Sequence, residues 1–356
     1  MASLTLRNLS KTYGQVAALQ DVSFEVREGE FFVLLGPTGA GKTTALRCIA
    51  GLEKPERGDI KIGDDLVNDW SAAQRDVALV FQQYSLYPNY TVRQNLEFPL
   101  RSKLRRTPWA DITRRVHKAA ETVRITHLLD RRTDRLSGGE MQRVSIGRAI
   151  VREPRLFLMD EPLSNLDAKL REVLRAELQE LQLHLGTTLI FVTHDQVEAL
   201  TMGNRLGILQ DGRLVQVGSP YDVYNKPLNT FVASFVGTPA INLFEAAIGT
   251  EKLVVVAEHF EFPLDAATRS RLGGLAGARD RVRVGVRPEH VKLVDTDGIP
   301  GTVYGAEDHG VEKIVTVRVA DHLIRATVPS TIAVALDQPV RIAFEPEQLH
   351  FFDHQT

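Results

Sequence analysis

Gly36-Pro37-Thr38-Gly39-Ala40-Gly41-Lys42-Thr43-Thr44 fits the G-x-x-x-x-G-K-[ST] phosphate-binding loop. Its glycines let backbone N–H groups turn inward around phosphates at a helix N-terminus. Lys42 would reach the β- and γ-phosphates, and the Thr43 hydroxyl would hold Mg²⁺. The stretch just before it, Phe31-Phe32-Val33-Leu34-Leu35, is apolar at every position, as in a strand covered on both faces. By itself the loop says only that a nucleotide binds.

Three more apolar runs lie further along: Val77-Ala78-Leu79-Val80-Phe81, Leu156-Phe157-Leu158-Met159 and Leu189-Ile190-Phe191-Val192. They stop at Gln82, at Asp160-Glu161 and at Thr193-His194, as the first stops at Gly36. In a mostly parallel α/β sheet, ligands sit beyond the carboxyl ends of the strands. A glycine loop, an amide, two carboxylates and an imidazole are therefore expected around one pocket. Those residue types suit a magnesium–triphosphate complex, with Asp160 binding the metal and Glu161 polarising the attacking water.

The chain has 356 residues, enough for two domains, and 43 Lys+Arg against 45 Asp+Glu. That balance gives no electrostatic case for nucleic-acid binding, and the basic run at 101–106 reads as solvated surface. No apolar run approaches the ~20 residues that cross a bilayer, and the N-terminus lacks the pattern of a signal peptide. The single cysteine, Cys48, excludes an internal disulfide, fits a reducing cytoplasm and reads as core filler. The ten histidines show no zinc-ligand spacing.

Alternating runs at Leu4-Thr5-Leu6 and Val22-Ser23-Phe24-Glu25-Val26 predict antiparallel strands. A helical insertion is expected over about 84–152, with Val116, Ala119, Ala120, Val123, Leu128 and Leu129 packed inward. Leu166, Leu170, Leu174, Leu178, Leu181 and Leu185 recur at helical spacing and predict one long amphipathic helix ended by Gly186. Beyond Gly237-Thr238-Pro239, short β runs separated by turns predict an all-β barrel. The domains are placed at 1–235 and 236–356, and the glycine-rich stretch 272–278 reads as a loop.

Taken together, these residues resemble the ATPase subunit of an ABC transporter, a P-loop NTPase domain of the α/β class. Leu136-Ser137-Gly138-Gly139-Glu140 resembles the family signature, Ser164-Asn165-Leu166-Asp167 the D-loop, Phe81-Gln82-Gln83 the Q-loop and Thr193-His194-Asp195 the switch-histidine region. The resemblance implies ATP and Mg²⁺ as ligands. Gln82 would sense the metal and water, His194 would contact the γ-phosphate, and Tyr13 would stack on adenine. Ser137, Gly138, Gly139 and Glu140 begin a helix and would meet the γ-phosphate bound by a facing subunit. With one phosphate loop and one signature, the chain is then half of a head-to-tail dimer, with an identical partner or a second ATPase subunit. Asp167 belongs to the same nucleotide-contacting set.

The stretches 81–88 and 159–171 resemble carbohydrate-importer ATPases of the maltose and glycerol-phosphate type. Val284-Gly285-Val286-Arg287-Pro288-Glu289-His290 and the end of the chain resemble their appended oligonucleotide/oligosaccharide-binding-like (TOBE/MOP-type) barrel, either a dimer-stabilising module or a regulatory docking surface. The resemblance implies two transmembrane permease subunits docked on 84–100, an extracytoplasmic solute-binding protein acting indirectly, and a peripheral position on the cytoplasmic face of the inner membrane. Importers for polyamine, sulfate, molybdate or iron remain alternatives, and a soluble ABC ATPase working on DNA or ribosomes is a more distant one. At position 140 glutamate stands where the family has glutamine. Either its carboxylate faces the incoming triphosphate, adding repulsion of about 1 kcal/mol, or it points to solvent and is tolerated.

Overall fold

Strand pairing in the computed structural model builds two sheets in the first part of the chain and two in the second. Residues 2–102, 107–248, 252–255, 261–263, 270, 272 and 281–353 are described. The basic run at 103–106 and the glycine-rich stretch from 273 to 278 lie outside them. Two compact units divide between Tyr221 and Asp222.

The first unit runs β1 (Leu4–Tyr13), β2 (Val16–Val26), β3 (Phe31–Leu35), α1 (Lys42–Ala50), β4 (Arg57–Ile62), β5 (Asp65–Leu66), α2 (Ala72–Arg75) and β6 (Val77–Val80). Next come α3 (Val92–Glu97), α4 (Trp109–Thr122) and α5 (Gly138–Ile150). It closes with β7 (Leu156–Asp160), α6 (Ala168–Leu185), β8 (Leu189–Thr193), α7 (Gln196–Met202), β9 (Arg205–Gln210) and β10 (Arg213–Gly218).

The larger sheet has the order β10-β9-β3-β8-β7-β6, parallel throughout except at the β10 edge. β3 and β8 are buried at every residue, which is why their sequences are unbroken apolar runs rather than alternating ones. The smaller sheet, β2-β1-β4-β5, is antiparallel, and its alternation matches one buried face. Side chains from both sheets and from α1 share one apolar cluster. Each fully buried Leu, Ile or Phe in it contributes about 1.5–3 kcal/mol.

β6 ends at Val80, one residue earlier than its apolar run implied, and Phe81 is 37% exposed. The six insertion residues expected to pack inward are all buried. α6 is N-capped by Asp167, whose Oδ1 accepts the Leu170 N–H at 3.0 Å, and it ends at Gly186 in the left-handed region. Its core face is narrower than the leucine stripe implied: Leu174, Leu178 and Gln182 are buried, whereas Leu170, Leu181 and Leu185 are half-buried.

α8 (Pro220–Asn225) and α9 (Thr230–Phe235) precede β11 (Asn242–Ile248), β12 (Lys252–Val255), β13 (Glu261–Pro263), β14 (Arg281–Val286) and β15 (Val291–Val294). β16 (Ile299–Asp308), β17 (Glu312–Val319), β18 (His322–Pro329), β19 (Pro339–Phe344) and β20 (His350–Phe352) complete the second unit. Its sheets, β13-β12-β11-β14-β20 and β15-β19-β16-β17-β18, are both antiparallel and bury a common apolar cluster.

Within the second unit, Arg287 ties the segment ahead of residue 236 to the strands. Its side chain is 1% exposed and lies 3.6 Å over the Tyr224 ring. Its guanidinium donates to the Tyr224 and Val236 carbonyls at 2.6 and 2.7 Å, fastening 224–236 to the end of β14.

Candidate nucleotide site

The ends of β3, β7 and β8 bring together five of the sequence-predicted side chains. α1 begins at Lys42, directly after the loop 36–41. Gly41 has φ +102°, and a Cβ there would stand 2.3 Å from the Ala18 carbonyl oxygen, so no other residue fits between this loop and β2. Gly39, at φ +85°, faces open space. The loop is thus pressed against β2 at Gly41 and open at Gly39.

Lys42 is 4% exposed. Its ammonium donates to the Gly36 and Pro37 carbonyls at 2.8 and 3.0 Å and lies 3.6 Å from Glu161 Oε1. Burial lowers its pKa, with the Glu161 carboxylate acting in the opposite direction. Thr43 Oγ1 donates to Asp160 Oδ1 at 2.9 Å. Burial raises the Asp160 pKa, opposed by that hydrogen bond and reinforced by the Glu161 charge. A hydroxyl and a carboxylate with a desolvated negative charge form a hard oxygen donor set, which fits Mg²⁺.

Glu161 sits one residue past the strand end at φ +45°, an uncommon conformation for a residue with a side chain. Its N–H donates to the Val192 carbonyl at 3.0 Å, so the β7–β8 ladder holds the turn. Glu161 Oε2 shares a 2.9 Å hydrogen bond with His194 Nδ1. One carboxylate therefore joins the phosphate-loop lysine to the histidine beyond β8.

Gln82 is less directly joined to this cluster. Its Nε2 donates to Ser164 Oγ at 3.2 Å, and Asn165 Nδ2 donates to its carbonyl at 2.9 Å. Tyr13, at the end of β1, is 43% exposed, with the Lys11 ammonium 5.1 Å from its ring centroid. The signature Ser137–Glu140 bonds within its own helix: Glu140 Oε2 accepts the Ser137 N–H at 2.7 Å, and Ser137 caps α5. Glu140 Oε1 is 3.6 Å from an Arg131 guanidinium nitrogen. The carboxylate turns back onto its own helix start.

The sequence held a signal for that arrangement. Ser-x-x-Glu ahead of an apolar run is the capping-box pattern, and Ser137 and Glu140 carry it. Arg171, which ties the segments flanking this site, had no comparable signal.

Comparison with known proteins bears on the whole chain. It is 46% identical over its full length to the trehalose/maltose import ATP-binding protein of Thermococcus litoralis, covering 99% of that protein. The chain belongs to the ABC transporter ATP-binding family. The ABC transporter family profile matches residues 19–164, the MalK OB fold domain 237–291 and the TOBE domain 284–352. The sn-glycerol-3-phosphate import ATP-binding protein of Ruegeria sp. is 44% identical over 100% of this chain and 98% of its own. A solved ATP-binding cassette dimer bound to ADP and phosphate is similar at 32% identity and a TM-score of 0.54, covering 61% of this chain and 98% of that one.

This ABC protein is accordingly an ATPase with a C-terminal OB-type all-β unit, of a family that works in dimers with membrane permeases. Among its described residues no helix is long and apolar enough to cross a membrane.

Proposed function

We propose that this ABC ATPase drives uptake of a carbohydrate or related polar solute. The observation that carries the reading is full-length similarity to import ATP-binding proteins named for trehalose/maltose, sn-glycerol-3-phosphate and sulfoquinovosyl glycerol, on a chain whose Lys42–Glu161–His194 linkage suits phosphoanhydride hydrolysis.

Lys42 and the 36–44 backbone hold the triphosphate, and Tyr13 stacks on the base. Thr43, Asp160 and Gln82 would hold Mg²⁺, which offsets phosphate charge when bound. Glu161 takes a proton from water as the water oxygen bonds to the γ-phosphorus. The bond from that phosphorus to the bridging oxygen breaks, and ADP leaves. His194 orients Glu161 and the γ-phosphate. Ser137–Glu140 and Asp167 contact the nucleotide of the facing subunit, an identical chain or a second ATPase, in a head-to-tail dimer.

Tyr87, Tyr90 and Phe98 form an exposed aromatic cluster, with Tyr87 to Phe98 ring centroids 4.3 Å apart. A groove of about 580 Å³ runs past Leu52, Leu79, Phe81 and Pro99. Exposed aromatic and apolar side chains favour protein contacts, which supports permease docking here, on the cytoplasmic face of the membrane. A solute-binding protein then acts on the motor through the permeases.

The test is the Glu161→Gln variant. Its turnover should fall by about 10²–10⁴-fold while ATP-dependent dimers accumulate on size exclusion. Turnover at the unsubstituted rate would remove Glu161 as the base. Solute-stimulated ATPase activity of the reconstituted complex, screened over sugars and glycerol phosphates, tests the cargo.

A further inference from the structure

His194 occupies a short turn whose two neighbours are both held from outside. Thr193 Oγ1 donates to Glu198 Oε2 at 2.6 Å and accepts the Asp195 N–H at 2.9 Å. Asp195 Oδ1 caps α7, accepting from the Val197 and Glu198 amides at 2.8 and 3.1 Å. Its other oxygen, Oδ2, accepts from Arg171 at 3.2 Å.

Arg171 stands in the first turn of α6, where its own N–H bonds to the Asp167 carbonyl at 2.9 Å. Its second terminal nitrogen donates to the Leu166 carbonyl at 3.2 Å. Its Nε is buried without a hydrogen-bond partner and lies 4.0 Å from Glu198 Oε1. One planar guanidinium thus spans three groups: the D-loop backbone at Leu166, the Asp195 carboxylate and the edge of Glu198. Arginine's fork matches such divided recognition, whereas a lysine ammonium would have to choose.

We infer that Arg171 is the positioning residue that locks the His194 turn to the D-loop, so that His194 meets Glu161 only while the D-loop is in place. Arg171 acts through the Asp195 carboxylate and the Leu166 carbonyl. The inference rests on His194 and Glu161 serving hydrolysis as proposed above.

Steady-state kinetics of the full chain, with thermal unfolding as a folding check, test it in Arg171→Gln, Arg171→Lys, Asp195→Asn and the Gln/Asn double variant. Asn keeps the oxygen that caps α7 and removes the charge that Arg171 grips. Arg171→Gln is expected to lower kcat about tenfold or more with KM for ATP within about twofold, and Arg171→Lys to recover part of the loss. The double variant should be no slower than the slower single one, because both cut the same link. Turnover within about twofold of the unsubstituted chain in Arg171→Gln, or fully additive losses in the double variant, would overturn the inference. Should Arg171→Gln not fold, Asp195→Asn carries the same test. His194→Ala separates the levels: normal turnover in it would sink the His194 role, whereas slow turnover there beside normal Arg171→Gln would sink only the lock.

Discussion

Glu140 Oε2 accepts the Ser137 N–H at 2.7 Å while Ser137 Oγ accepts the Glu140 N–H at 3.4 Å, so the two residues satisfy each other's backbone donors at the start of α5. Glutamine performs the same exchange. Glu140→Gln should therefore change stability by less than about 0.5 kcal/mol, and Glu140→Ala should cost about 1 kcal/mol. With Arg131 beside the carboxylate, ATP turnover of the Gln variant should stay within about twofold. Chemical unfolding and steady-state kinetics check both; a large rate gain in Glu140→Gln would show that the charge reaches the nucleotide.

The same pair has a pH signature. The Ser137 N–H, then the Ser137 hydroxyl and Arg131, hold the Glu140 carboxyl below its ordinary value despite partial burial. A depressed carboxyl stabilises the fold above its unfolded pKa, and that contribution is lost as pH falls through the folded value. The stability difference between the unsubstituted chain and Glu140→Gln should hence shift against the unsubstituted chain on acidification below about pH 4.5. Unfolding curves across that range measure it.

Asp160 and Thr43 make the second case. Asp160→Asn keeps the side-chain volume and removes the buried charge, so the ligand-free protein should unfold no earlier than the unsubstituted chain. The Mg²⁺ concentration giving half-maximal turnover should rise about tenfold or more. An unchanged Mg²⁺ requirement would take Asp160 out of the metal site.

Replacing Tyr87 and Phe98 together by alanine should leave the basal ATPase rate of the isolated subunit within about twofold, while solute-stimulated turnover in the reconstituted complex falls about tenfold. Equal stimulation before and after would move the permease contact elsewhere.

Arg287→Met should lower the stability of the second unit by about 2–4 kcal/mol, since it leaves the buried Tyr224 and Val236 carbonyls without their donor. Thermal unfolding of the full chain would show a transition earlier by several degrees. An unmoved transition would mean that water replaces the guanidinium.

Strand ends and the phosphate loop were legible in the sequence because buried parallel strands must be apolar throughout and must stop where ligand chemistry starts. Gly36, Asp160 and His194 therefore stand where continuous apolar runs break. β11, β13, β15 and β20 are short or carry weak alternation of their own; β15 and β20 moreover pair with strands distant in sequence, whereas β11 and β13 flank β12. Arg171 and Arg287 were invisible for a related reason. Each is an arginine whose meaning lies in carbonyls and a carboxylate, or in a ring, brought to it by folding. The capping of α5, by contrast, was written in Ser137 and Glu140 and needed only the local rule.

Tyr13 hangs from the antiparallel sheet, whereas Lys42, Asp160, Glu161 and His194 all hang from the parallel one. On the roles proposed above, base recognition and bond breaking would be mounted on separate frames. Substitutions on the rim around β1 would then alter the fit of the base while leaving the cutting edge as it stands.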